Sequence, residues 1–403
     1  MVANRVGPPV RGKDLYGREK FIKMISEKLK AGHVLLAAPR RFGKTSIMYR
    51  LIDEPLWDYT VIHADLEHLT EPAELITELV MQLVKTKDDR LSKVAQSLSY
   101  VPKTLWGKFR KNFEEVELFK VKVKLREDLR PRWRESGEEL FAKVAESKNI
   151  VLFILDELPM MIDRMMRTES GKEDARILLH WLRTLRQSPS TSKVRFLIAG
   201  SIGIARILNE LGEIASINDF ESVRLKPFPP KVATAFIDEL VATQGLIVTP
   251  ECRQKMLELI GAPVPYFIQI MYSEVAKTFA EDEEPITPET VERVYRDKVL
   301  GVDCKTYFDH YYGRLRDYYQ LQEEKAAKRI LRELAVADSL TRDVCYQFYR
   351  GNAGRGDSFD EFDIMMTDLE NDFYIIFDQD ARRYRFSCKL LRDWWLRHYG
   401  MGI

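Results

Sequence analysis

Two short stretches hold side chains whose order suits phosphate chemistry. The first is "LLAAPRRFGKTS", residues 35–46: an apolar run, a turn, then a Gly-Lys-Thr triplet. If the turn joins a buried strand to a helix, its unpaired backbone N–H groups and the helix dipole converge on an anion. Pro39, Arg40, Arg41 and Phe42 form the body of that cradle. Gly43 keeps the backbone clear of a Cβ where a phosphate must approach. Lys44 reaches the terminal phosphates, Thr45 offers a hydroxyl to Mg²⁺, and Ser46 completes the candidate nucleotide-binding set. Ala38 stands where such a loop ordinarily has its first glycine. Its methyl adds bulk at the entrance and not at the cradle, so strand-like backbone angles there tolerate it.

The second stretch is "FILDELPMM", residues 153–161. An apolar strand ending in two acids is costly unless those acids emerge into a polar site. Asp156 is expected to hold the Mg²⁺ shell, and Glu157 to orient and deprotonate an attacking water. A helix N-cap carrying a dipole-stabilised acid is the other use of Asp-Glu after a strand. Beside a phosphate loop the catalytic reading is the better one. A third apolar run, "FLIAGS", ends at Ser201, which either senses the γ-phosphate or the water from a neighbouring strand or simply forms a turn.

The elements needed to position these groups are visible in the chain. "HVLLAA" (33–38), "TVIHADL" (60–66), "NIVLFILDE" (149–157) and "VRFLIAGS" (194–201) read as strands, the first and last two buried on both faces. Helical patterns at 18–30, 44–53 and 72–85 alternate with them. That alternation predicts a parallel sheet covered on both sides and joined by right-handed crossovers. From about residue 226 the pattern is helical, and the last eighty residues read as three helices (326–336, 340–349, 359–370) and a hairpin around Gln379–Ala381, the outline of a winged helix. Residues 103–134 carry eleven Lys/Arg against five Asp/Glu. There "ELFKVKVKLRED" alternates strongly enough to be expected as a polar-faced strand, with Lys120, Lys122 and Lys124 on one face.

Composition narrows the function classes. The 403 residues are 45% hydrophobic and 31% charged with a net charge of +1, so any preference for nucleic acid must be local. The four cysteines lie far apart without metal-ligand spacing, which predicts thiols in a reducing compartment. No apolar run is long enough to span a bilayer, and the start lacks the core of a signal peptide, so a cytoplasmic protein without membrane partners is expected.

Taken in order, "LYGREKFIKMI" (15–25), "APRRFGKTS" (38–46), "FILDELPMM", "FLIAGS" and "GAPVPYFIQIM" (261–271) resemble the STAND and archaeal-type ATPases of the AAA+ P-loop class. The ending "RYRFSCKLLRDWWLRHY" (383–399) looks like the close of their winged-helix domain. The resemblance implies an α/β P-loop domain over 1–225 with a charged insertion at about 88–148, a helical lid over 226–300, and a linker helix with a winged-helix-like domain over 301–403. It implies ATP and Mg²⁺ as ligands. Tyr16, Gly17 and Arg18 would border the base or ribose, and the "GAPVP" turn would close over the nucleotide with Pro263 or Pro265. Many lids of this class carry an arginine for the γ-phosphate where this turn has proline. Arg164, Arg183, Arg186 and Arg206 all follow the acidic pair at distances suited to a finger, and none is assigned.

The expected function is that of an ATP-hydrolysing conformational or assembly switch, self-associating or working on a protein partner. One alternative is a DNA-remodelling or loading ATPase resembling origin initiators; another is a scaffold that binds ATP without turning it over. DNA would have to engage the basic insertion or the wing at Arg382, Arg383 and Arg385. The third helix of the C-terminal domain is excluded as a groove reader, because 357–372 holds seven acids and no base. The lysines of the insertion either grip DNA phosphates or guard a strand edge. The tyrosines at 307, 311 and 318 share a helix face, which favours packing over base stacking.

Overall fold

A computed structural model describes residues 2–86, 88–101, 115–200, 203–244, 246–282, 285–353 and 358–400. These form two compact units: Lys20–Ala37 with Met48–Arg224, and Met1–Glu19 with Ala38–Ile47 and Leu225–Ile403.

The first unit is built on a parallel sheet of five strands in the order β2-β3-β4-β1-β5. Its strands are β1 (His33–Ala37), β2 (Tyr59–Asp65), β3 (Ile150–Asp156), β4 (Val194–Gly200) and β5 (Phe220–Arg224). In β3 every residue from Val151 to Asp156 is buried, because helices cover both faces of the sheet. Phe141, Phe153 and Phe196 form an aromatic layer beneath it, with ring centroids 5.0–5.8 Å apart. The edge strand β5 escapes a sequence reading because only Val223 of its five residues is buried.

The alternating segment of the insertion is a correction. Glu115–Leu129 is a helix, not a polar-faced strand. Leu125 and Leu129 are buried, and acids of the helix Pro72–Lys85 and its N-cap Glu71 draw the basic side chains inward. Lys122 bonds Glu78, Arg126 bonds Glu74, and Arg130 grips Glu71 through two nitrogens. On a helix, Lys122 points away from the side shared by Lys120 and Lys124. The three lysines therefore do not make one basic face.

In the second unit, the helices Pro230–Gln244, Pro250–Ile260, Pro265–Asp282 and Pro288–Val294 each open with proline. A first helical position suits proline, since its missing N–H would have no partner there. Thr249 and Thr287 cap two of them by accepting backbone N–H bonds from Cys252 and Thr290. The C-terminal elements are the helices Leu321–Ala337, Arg342–Ala353 and Phe359–Asn371, then the hairpin β7 (Ile375–Asp378) and β8 (Arg383–Phe386). A short strand, β6 (Ser339–Thr341), adds a third strand beside β8. Tyr311 and Tyr318 are buried on the helix Lys305–Tyr318, and Tyr311 meets Tyr374 edge-on at 5.9 Å, so the tyrosine run packs a core. All four cysteines are buried and unbridged. Among the described residues no helix is long and apolar enough to cross a membrane.

His33 opens β1 between the rings of Phe196 and Phe220 and accepts the Phe196 N–H at 3.1 Å. Burial, then Arg186 and Arg195, push its pKa down to about 4 against the opposing pull of Asp219. A depressed histidine leaves stability intact above the unfolded value of about 6.5 and removes it as pH falls toward the folded value. Between pH 7 and pH 5 this group is expected to cost on the order of 2 kcal/mol. Denaturant titrations at the two pH values should show a smaller drop for His33→Gln; equal drops would exclude His33 as the source.

Candidate functional site

The phosphate loop belongs to the second unit. After Ala38, which is buried, the chain turns through Arg40 and Arg41 and enters the helix Lys44–Asp53. Arg41 takes a φ of 69° and Gly43 a φ of 93°. A Cβ added at Gly43 would meet nothing within 4 Å, so the glycine is set by backbone conformation, and open space lies in front of it. Lys44 is 8% exposed at the head of the helix, with Thr45 beside it. Backbone donors, a lysine and a hydroxyl at the head of a helix are a donor set that fits a polyphosphate and its magnesium.

The loop is held from several sides. The Phe42 ring is fully buried and meets Phe373 edge-on at 4.9 Å. Arg41 lies 5.0 Å over the Tyr266 ring and donates to the Gly7 carbonyl at 3.0 Å. Ser46 accepts the Val10 N–H at 3.0 Å, so the N-terminal arm is tied to the first turn of the helix. His310 lies close enough for Arg41, Arg314 and Arg40 to act on it. Burial first, then these arginines, lower its pKa to about 3, and among the described residues its buried Nε2 has no hydrogen-bond partner. Nothing in the sequence marked Phe373 or His310, because both act through contacts far along the chain.

The residues expected near the base or ribose take these positions. Tyr16 stacks on Phe236 at 5.3 Å. Gly17 has a φ of 66°, and a Cβ there would come within 2.5 Å of Val232. Arg18 is 6% exposed and lies 4.4 Å over the Phe228 ring, bonding backbone carbonyls. Pro265 heads its helix, while the Pro263 carbonyl accepts the Phe228 N–H at 2.9 Å. The turn before them needs Gly261, whose φ is 82° and whose added Cβ would fall 2.6 Å from the Lys389 nitrogen.

The acidic pair belongs to the sheet of the first unit. Hydrogen-bond register sets Asp65, Asp156, Ala199 and Leu36 in one row across β2, β3, β4 and β1. Ala37, the next residue of β1, is the last before the loop begins. Asp156 thus ends β3 on the same rim at which β1 ends. Asp65 ends β2 opposite Asp156, and its Oδ1 accepts the Glu67 N–H at 3.0 Å.

Glu157 follows with φ 57° and ψ 30°, a left-handed conformation that a residue with a Cβ rarely adopts. Its N–H donates to the Ala199 carbonyl at 2.8 Å, which fixes the kink as the chain enters the helix Leu158–Met166. Gly200 is required alongside, since an added Cβ would lie 2.5 Å from Pro159 Cγ. Ser201 lies outside the described residues. Of the four arginines following the acids, Arg186 chelates Asp219 through two nitrogens and Arg206 pairs with Asp163 at 3.4 Å.

Two solved structures share this fold along nearly the whole chain. The Walker-type ATPase of Pyrococcus abyssi aligns with a TM-score of 0.62 at 17% identity, covering 97% of this chain and 99% of that one. The ORC2 protein of Aeropyrum pernix, described in ADPNP-ADP complexes, aligns with a TM-score of 0.53 at 10% identity, covering 95% and 92%. At these identities the likeness is one of fold: a parallel five-stranded sheet with its helices and a helical C-terminal region. No family model matches the sequence, and no curated protein does.

Backbone strain at Glu157 predicts a trade of stability against chemistry. Glycine relieves a left-handed conformation that costs about 1–2 kcal/mol, less its own extra chain entropy. Glu157→Gly should therefore be more stable than the wild type by about 0.5–1 kcal/mol in urea unfolding. A destabilised Glu157→Gly protein would show that the kink carries no strain.

Proposed function

We propose that this chain is an AAA+ P-loop ATPase that binds ATP at residues 38–46, hydrolyses it, and uses the cycle as a conformational or assembly switch. The observation that carries this reading is the shared rim: Asp156 ends its strand level with the end of β1, whose next residues are the phosphate loop.

In this reading the backbone N–H groups of 40–45 hold the β-phosphate, and Lys44 neutralises charge developing on the γ-phosphate. Thr45 and Asp156 would hold magnesium, which would supply charge neutralisation to the polyphosphate. Glu157 aligns a water with the γ-phosphorus and takes its proton as the new P–O bond forms and the bond to the β-phosphate oxygen breaks. No lid arginine faces the phosphates from the "GAPVP" turn, so slow turnover by the isolated chain is part of the proposal.

The partner is proposed to be protein: a second copy of this chain or a separate one. The helix Phe359–Asn371 carries Asp360, Glu361, Asp363, Asp368 and Glu370 with no basic residue, and a phosphate backbone would be repelled by it. Part of the basic alternative is engaged internally, while Lys120, Lys124 and Arg382 are exposed. Lys122, Arg126 and Arg130 engage acids of their own unit, and Arg383 of the hairpin donates to the Ser339 hydroxyl and carbonyl.

Calorimetry and phosphate release test the reading together. Lys44→Ala should weaken ATP binding by about 100-fold or more. Glu157→Gln should bind ATP with unchanged affinity and release phosphate at least about 100-fold more slowly than wild type. Equal phosphate release by Glu157→Gln and wild type, with ATP bound by both, would overturn the assignment.

A further inference from the structure

Arg18 is a buried guanidinium with no acid on it: among the described residues no carboxylate lies within ion-pair distance, and burial alone pushes its pKa down to about 10. A charge so placed needs polar partners. It has two backbone carbonyls. One guanidinium nitrogen donates to the Lys226 carbonyl at 2.9 Å, and the other to the Phe42 carbonyl at a longer 3.4 Å. The guanidinium plane covers Phe228, whose N–H is held in turn by the Pro263 carbonyl. The side chain therefore joins the entry of the lid to the tip of the phosphate loop.

The Phe42 carbonyl and the Gly43 N–H belong to one planar trans peptide and point in opposite directions. A donor that holds the carbonyl on the Arg18 side turns the Gly43 N–H to the other side. We infer that Arg18 is a positioning residue: by gripping the Phe42 carbonyl it aims the Gly43 N–H at the β-phosphate, and it does not read the base or ribose. This rests on the reading that the loop binds a nucleotide. Gly43 itself has no preference to contribute, since glycine populates either peptide orientation at little cost. Phe42 adds none beyond its buried ring. A charged clamp outside the loop supplies the missing constraint.

The test compares two nucleotides that differ by the phosphate concerned. ADP carries the β-phosphate and AMP lacks it. In wild-type protein ADP should bind the more tightly. In Arg18→Met, which keeps an apolar stem against Phe228, ADP affinity should fall about tenfold or more while AMP changes by less than about threefold. Arg18→Lys, able to reach one carbonyl, should recover part of the difference. Equal weakening of both nucleotides would overturn the inference, since it marks a contact to base or ribose or a general loss of structure. The second readout uses nucleotide-free protein, in which the Gly43 amide resonance should move in Arg18→Met. An unmoved resonance would likewise overturn it. If wild-type protein binds neither nucleotide, the ATPase proposal fails while the Gly43 resonance still decides whether Arg18 sets the peptide.

Discussion

Hydrogen-bond register in a parallel sheet is the constraint on which the functional geometry depends. Parallel neighbours repeat in step, so once β4 lies between β1 and β3, the ends of those strands are fixed relative to each other. A slip of one residue would carry the β3 side chains to the opposite face and move Asp156 off the rim. Six consecutive buried residues in β3 resist such a slip, because each side chain would have to repack among new neighbours on the other covered face. Packing in the core thus determines where the acid sits at the end of its strand. The aromatic layer of Phe141, Phe153 and Phe196 serves that end without touching the chemistry.

The strain at Glu157 follows from the same constraint. β3 has to end at Asp156, and the helix Leu158–Met166 has to start two residues later, with Pro159 against Gly200. One residue must make the corner, and it does so in a conformation that glycine would adopt more cheaply. In the proposed function the carboxylate of that residue is what the strained backbone retains. Arg41 repeats the pattern in the loop, where a left-handed residue carries a side chain that reaches Tyr266 and Gly7.

How much of this was legible in the sequence depended on whether the signal was local. β1, β3 and β4 are apolar runs between turns, and the loop and the acids sit at their ends, so both could be read directly. β5 could not, because an edge strand with one buried side chain has no apolar run. The insertion misled through genuine alternation: "FKVKVKL" has the period of a strand, but acids at Glu71, Glu74 and Glu78 line a neighbouring helix, and ion pairing to them favours a helix over Glu115–Leu129. Propensity yields there to tertiary charge. Arg18 was noticed for the motif around it, whereas its bonds to Lys226 and Phe42 join chain segments that no local pattern connects.

The contact of Phe42 with Phe373 has a consequence for how damage to this molecule would present itself. Phe373 follows Asp372, itself buried opposite Arg314 at 3.8 Å, and holds a φ of 67° between a helix and the hairpin. A lesion at Phe373 reaches the loop at 38–46 through that aromatic edge. Damage near the far end of the polypeptide would then surface as a disturbance of a turn close to its beginning.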